Sequence, residues 1–213
     1  MIVNKLEQLD LDKLYAYSDY MLWRFDERVE LLKGKISKMS PAPNVLHQKV
    51  SAIIFREISW FLKKTQCQIF SAPFDVRLPV SEEIIISKKY KNKAKSLADG
   101  KMMTVVQPDI CVICDEDKLD ERGCVGAPDL IIEILSPGNT RTEMKDKFEI
   151  YQEAGVKEYW LVSPHNEFVL IYTLQKGKYL GSKPYTIDDI LKSSVIEGFE
   201  LEVNEIFSKK RFE

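Results

Sequence analysis

Two apolar runs, each opened by Pro-Asp, are the most regular feature of the hydrophobic pattern: QPDICVIC at 107–114 and APDLIIEILSP at 127–137. Both are short, rich in β-branched residues and bounded by turn formers, which predicts strands. Alternation puts Asp109, Cys111 and Ile113 on one face of the first, and Ile110, Val112 and Cys114 on the other. In the second, Asp129, Ile131, Glu133 and Leu135 oppose Leu130, Ile132 and Ile134. Apolar residues on both faces predict central strands, with Asp109 at the mouth of one and Glu133 in the middle of the other. After Pro137 the period becomes helical, from about Thr140 to Ala154. Taking Met144 as origin, roughly 100° per residue gathers Ile150, Ala154, Lys147, Tyr151, Met144 and Phe148 into one arc of about 160°. Lys147 thus falls among the apolar positions of that helix. A further strand, EYWLVSP, follows.

The remaining pattern surrounds this centre. Residues 1–26 read as one or two short helices, with SDYMLWRFDER at helical spacing. RVELLKGKISKMS reads as a hairpin turning at Lys33-Gly34. Asn44 is an N-cap candidate for a long helix to about Lys64, whose stripe is Leu46, Val50, Ile53, Ile54, Ile58 and Phe61. CQIFSAPFDVRLPV is strand-like, with Pro73 marking an edge or bulge. Residues of about 84–103 carry Lys88, Lys89, Lys91, Lys93, Lys95 and Lys101 against Asp99. They predict a flexible basic loop, either solvated or in contact with a phosphate backbone. A meander, EFVLIYTL and KYLGSKPY, turns at Lys176-Gly177, and VIEGFELEVNEIF closes with a strand and a helical turn. Strands with a few long helices predict an α/β fold on a mixed sheet.

Length and charge narrow the class. At 213 residues, with 45% apolar and 30% charged residues, the chain predicts one soluble domain over 1–213, with the helix and hairpin at 10–40 packed on its core. A formal net charge of −2 supplies no global attraction for nucleic acid, so any basic surface is local. No apolar run approaches the roughly 20 residues that span a bilayer, and no signal-peptide pattern opens the chain, which predicts a cytoplasmic protein without membrane contact. Cys67, Cys111, Cys114 and Cys124 show no regular framework, and a strand points Cys111 and Cys114 to opposite faces; reduced cysteines are expected.

The candidate chemistry lies in the two central strands and the helix. A glutamate among Ile131, Ile132, Ile134 and Leu135 is buried, and a buried carboxylate requires a cation or a metal. Lys147 is such a cation; the alternative for it is a helix pair with Glu143, itself a capping-box residue with Thr140. Asp109 and Glu133 on neighbouring strands suit a hard divalent ion, with a lysine beside them to orient water or stabilise charge on a phosphoryl group. A buried ion pair that only holds the core is the alternative. Asp129 shares the face of Glu133 but stands about 13 Å along the strand, too far to share one ion. His47 is expected to point inward with Ile54 and Ile58, Glu57 is a further acid in the same arc, and Asp75 is either an acid that supports the site or, the favoured expectation, a partner of Arg77.

Pro108-Asp109 followed by Glu133 resembles the PD-(D/E)XK nuclease superfamily. ELLKGKISKMSPAPNVLHQKV, QPDI, APDLIIEILSPGNT, DKFEIYQEAGVKEYWLVSP and GFELEVNEIF together resemble the Uma-two type of restriction endonuclease, over roughly residues 10–207. The resemblance implies a restriction-endonuclease-like core, a central mixed β-sheet flanked by helices, and Mg²⁺- or Mn²⁺-dependent hydrolysis of DNA. It implies Asp109 and Glu133 as metal ligands and Lys147 as the catalytic lysine moved onto the following helix, since Leu135 occupies the superfamily's usual lysine position. Glu30 stands where the family carries a glutamate, and is either a supporting acid or an exposed strand residue. His47 is a supporting candidate too. Such enzymes commonly act as homodimers. The rival expectations are a catalytically silent nucleic-acid-binding or regulatory module of the same fold, and a nuclease acting on RNA.

Overall fold

The computed structural model describes residues 2–39, 44–79, 102–138 and 141–208. Residues 84–101 of the expected basic loop, and Thr140 of the expected capping box, lie outside the described residues. Met102 and Met103 belong to a strand rather than to that loop.

The chain opens with a 3₁₀ turn at Leu6–Gln8 and one helical turn, α1 (Tyr17–Tyr20), shorter than the helical spacing of SDYMLWRFDER suggests. The hairpin β1 (Val29–Leu32) and β2 (Lys35–Lys38) follows as expected. Lys33 and Gly34 both adopt positive φ, 52° and 85°, the requirement of a tight two-residue hairpin turn. A Cβ on Gly34 would also lie 3.1 Å from the Tyr15 carbonyl oxygen, so glycine serves backbone angle and packing together.

Helix α2 (Val45–Leu62) begins where Asn44 accepts a hydrogen bond from the His47 N–H at 2.9 Å. It buries His47, Val50, Ile54, Ile58 and Leu62, while Leu46 and Phe61 near its ends stay partly exposed. Next come β3 (Gln68–Ser71), β4 (Val76–Pro79), β5 (Met102–Val106), β6 (Ile110–Ile113), β7 (Leu119–Asp120), β8 (Gly123–Val125) and β9 (Leu130–Ile134). Helix α3 (Arg141–Ala154), β10 (Glu158–Ser163), β11 (Phe168–Gln175), β12 (Lys178–Gly181), β13 (Ile190–Lys192), β14 (Glu200–Glu202) and α4 (Val203–Phe207) complete the described chain.

The expected mixed sheet has the order β12-β11-β10-β9-β6-β3. β9 and β10 are parallel and joined by α3, the helical crossover that parallel pairing demands. β6 runs antiparallel to β9 with Ile110 opposite Ile132, which brings Asp109 next to Glu133. One face of the sheet carries Ile110, Val112, Leu130, Ile132 and Trp160 against α2. The other carries Cys111, Ile113, Ile131 and Tyr159 against Ile150 and Tyr151 of α3. The strand alternation read from the sequence holds at these positions. Each fully buried side chain of this size contributes about 1.5–3 kcal/mol.

A second mixed sheet, β2-β1-β5-β4-β8-β7, accompanies the first. It arises because CQIFSAPFDVRLPV is two strands rather than one. β3 pairs at the edge of the first sheet, the chain turns at the cis Ala72-Pro73 bond, and β4 joins the second. Val76, Leu78, Val106 and Cys124 of this second sheet close over the α3 face of the first. Within the second sheet, Gly123 lets β8 lie close against the start of β4: a Cβ there would stand 2.2 Å from the Asp75 carbonyl oxygen.

The cysteine expectation is corrected. Cys67 and Cys114 form a disulfide, because the register Gln68 to Ile113 continues by one residue to set them opposite one another. A spacing of 47 residues carries no sign of this in sequence. Cys111 and Cys124 are free and buried. No helix among the described residues is long and apolar enough to cross a membrane.

Candidate active site

Five elements deliver charged groups to one cavity of about 450 Å³, lined among others by Glu30, His47, Gln107, Asp109, Glu133 and Lys147. Glu133 projects from the α3 face of β9 by strand alternation. Lys147 reaches it from the apolar side of α3, with its ammonium 3.0 Å from Glu133 Oε1. Tyr151, one helical turn later, donates its hydroxyl to the same oxygen at 2.6 Å. Glu30 arrives from β1 in the second sheet and is 3.1 Å from Lys147 Nζ. Its Oε1 also accepts the main-chain N–H of Gln107 at 2.8 Å. Asp109 sits where β6 begins, and its Oδ2 accepts the Ile134 N–H at 2.7 Å. His47, from α2, brings Nε2 to 3.3 Å of the same Asp109 oxygen. The His47 Nδ1 atom is buried without a hydrogen-bond partner.

The site holds an acidic excess, Glu30, Asp109 and Glu133 around the single ammonium of Lys147. Burial, aided by the charges of Asp109 and Glu30, pushes the Glu133 carboxyl up to about 7 against the opposing pull of Lys147 and Tyr151. Burial works against the charge of Lys147, but Glu133 and Glu30 outweigh it and hold the ammonium above its ordinary range. Burial and the Glu133 charge raise the Tyr151 hydroxyl well above its usual value, so it acts as a donor. For His47, burial disfavours the charged ring, yet the hydrogen bond and charge of Asp109 prevail and raise it.

Among the described residues, no three His, Cys, Asp or Glu side chains converge tightly enough to hold a metal ion by themselves. The donors are nonetheless of the kind magnesium takes: carboxylate oxygens, one or two from the protein, with water and phosphate completing the shell. The acidic excess of three carboxylates around one ammonium is what a divalent cation would relieve. On donor chemistry and charge, the Asp109–Glu133 pair fits such an ion.

The structure gathers all five candidates, Asp109, Glu133, Lys147, Glu30 and His47, around this one cavity. Glu30 is not an exposed strand residue; it is 2% exposed. The ion-pair partners of Lys147 come from two strands in different sheets. Asp129 is apart from the site, as its spacing predicts, accepting from the Cys114 N–H and from Lys157 at 2.8 and 2.7 Å. Glu57 is apart too and pairs with Arg56. The expected Asp75–Arg77 pair is corrected: Arg77 reaches Asp120 at 2.5 Å, while Asp75 accepts from the Gln107 amide at 2.8 Å. Alternation turns consecutive odd residues the same way, but the neighbouring strands decide what each meets. Gln107 and Tyr151 escaped the sequence reading. Tyr151 lies on the Lys147 arc, one turn along, and that position was its available signal.

A family model described as "Putative restriction endonuclease" matches residues 97–204. The chain belongs to this family, Uma2. Its matched span contains Asp109, Glu133 and Lys147, whereas Glu30 and His47 lie before it. A crystal structure of a "putative nuclease belonging to DUF820" from Anabaena variabilis is similar, with a TM-score of 0.65. The similarity covers 91% of this chain and 97% of that one at 20% identity, which makes it a likeness of fold. No curated protein matches.

Proposed function

We propose that this Uma2 protein is a metal-dependent endonuclease that hydrolyses DNA phosphodiester bonds, with Asp109, Glu133 and Lys147 as its catalytic residues. The observation that carries the reading is the Lys147 ammonium held 3.0 Å from Glu133, beside Asp109, in an open cavity of a chain from a restriction-endonuclease family. Mg²⁺ or Mn²⁺, held by Asp109 and Glu133, would supply charge neutralisation at the phosphoryl oxygens and a more acidic water. The protein's own groups prepare that chemistry. Ile134 N–H and His47 fix Asp109. Tyr151 fixes Glu133. Lys147, kept charged by two carboxylates, faces the charge that develops as water adds to phosphorus and the P–O ester bond breaks. A homodimer would present two such sites to the two strands of a duplex.

A second reading draws on a specific observation. Glu30 and Glu133 already clasp Lys147, and no three-donor metal cluster stands ready among the described residues. That arrangement also suits a structural ion cluster in a catalytically silent nucleic-acid-binding module.

Calorimetric titration of Mg²⁺ and Mn²⁺ separates the two, on wild type, Asp109→Ala and Glu133→Ala, with and without a duplex oligonucleotide. The nuclease reading expects binding in wild type that both substitutions abolish while the fold persists. It also expects cleavage of duplex DNA that falls about 10³-fold in either variant. Absence of metal binding even with duplex present, together with unfolding of Glu133→Ala, would establish the silent module. RNA and single-stranded DNA in the same cleavage panel decide the substrate.

A further inference from the structure

Beside the carboxylate cavity lies a second one of about 610 Å³, and Arg28 and Gln107 line both. Its wall is a run of rings: Tyr17 stacks on Tyr20 at 6.1 Å, Tyr20 meets Trp23 at 5.4 Å, and Trp23 stacks on Phe25 at 5.7 Å. Trp23 is buried behind, whereas Tyr17, Tyr20 and Phe25 are only half-buried although they belong to the N-terminal core cluster. The guanidinium-bearing residues Arg24, Arg28 and Arg122 are exposed around the same cavity. Asp26, Glu27 and Asp75 line it as well, so its charges balance and it is no simple phosphate site.

Gln107 couples this cavity to the other. Its main-chain N–H holds Glu30 at 2.8 Å, its side-chain amide donates to Asp75 at 2.8 Å, and its carbonyl accepts from Arg28 at 2.6 Å. A charge-balanced, ring-walled cavity with amide and carboxylate groups suits a flat, neutral, hydrogen-bonding ligand. A nucleobase has that chemistry: it stacks on aromatic side chains and presents donors and acceptors on its edge. The volume lies in the range of sites that enclose small organic groups.

We propose that this aromatic cavity is a subsite for one unstacked nucleobase of the strand whose phosphate lies at the Glu30–Asp109–Glu133–Lys147 cavity. The substrate is then single-stranded or locally unpaired where it is cut. The inference rests on the nuclease reading for the position of that phosphate.

The test is fluorescence anisotropy in EDTA, which prevents cleavage, with labelled single-stranded oligodeoxynucleotides that are intact or carry one abasic position moved stepwise along the strand. Wild type is expected to bind the intact strand about tenfold more tightly than the strand abasic at one register. Phe25→Leu, which keeps apolar bulk but removes the ring, is expected to erase that discrimination, and Glu133→Gln to retain it. Equal affinity of wild type for intact and abasic strands overturns the proposal, as does discrimination that survives in folded Phe25→Leu. If Phe25→Leu does not fold, Tyr17→Leu is read by the same criterion. Discrimination in a protein that cleaves nothing would keep the subsite and remove the nuclease reading; cleavage without discrimination would do the reverse.

Discussion

Glu133 and Glu158 stand on the paired strands β9 and β10, and their side chains are largely or wholly withdrawn from water, Glu133 at 13% exposure and Glu158 at 0%. They point to opposite faces of the sheet. Glu158 shares its face with Trp160, and its oxygens accept from the Trp160 indole N–H at 2.7 Å, the Ser194 N–H at 2.7 Å and the Ser194 hydroxyl. No cation pairs with it among the described residues, and its hydrogen bonds close on neutral donors. Glu133 instead meets an ammonium, a phenol and two other carboxylates at a cavity open to solvent. A carboxylate whose oxygens are all satisfied by neutral donors has no need of a further partner. One crowded by like charges is poised to take a further cationic partner. Burial alone therefore does not mark a candidate functional acid; unbalanced surroundings are the stronger sign.

The comparison breaks most visibly at Lys147. Lys147→Met leaves Glu30 and Glu133 facing each other without their cation, and urea denaturation at pH 8 should show a loss of about 3–5 kcal/mol. Adding Glu133→Gln should recover a large part of that loss. Failure of the double variant to recover would mean that Lys147 stabilises through its packing rather than through its charge.

Glu158→Gln tests the other side. The amide keeps an acceptor but turns an N–H toward donors, so a destabilisation of about 1–3 kcal/mol is expected by thermal unfolding. Metal affinity should be unchanged in calorimetry, whereas Glu133→Gln should lose it. A Glu158→Gln protein that also lost metal binding would erase the distinction.

The smallest effect is expected at Asp129, a structural carboxylate that does carry a cation. Burial by itself would raise its carboxyl, but Lys157 and the Cys114 N–H prevail and hold it below the ordinary value. A depressed carboxyl stabilises the fold above its unfolded value of about 3.9, and the contribution fades as pH falls through the folded value. Asp129→Asn should therefore cost only about 0.5–1.5 kcal/mol at pH 7, and the penalty should shrink below about pH 4. A penalty constant across that range would place the loss in packing.

The central strands and the inward placement of their charged residues were legible because each signal is local. Alternation over a few residues sends Asp109 and Glu133 to the face of Cys111, Ile113 and Ile131, and a helical wheel sends Lys147 to the inner side of α3. The turn at Lys33-Gly34 and the Asn44 cap are equally short-range. Glu158 carries no such local sign, because nothing in EYWLVSP announces that Ser194 closes over it from 36 residues away.

What periodicity and turn chemistry determine, then, is which residues face inward on each element. Which inward faces meet depends on pairings between distant segments, and these set the character of the site. Glu30 reaches Lys147 only because the N-terminal hairpin pairs with β5, through Leu31 and Val105, in a sheet that the run around Pro73 did not reveal. Cys67 meets Cys114 through the register of β3 on β6, and Arg77 finds Asp120 instead of Asp75 through the pairing of β4 with β8 and β8 with β7. Strand register is a property of two segments at once, set by the total burial and hydrogen bonding of the assembled sheet, so neither segment carries it alone.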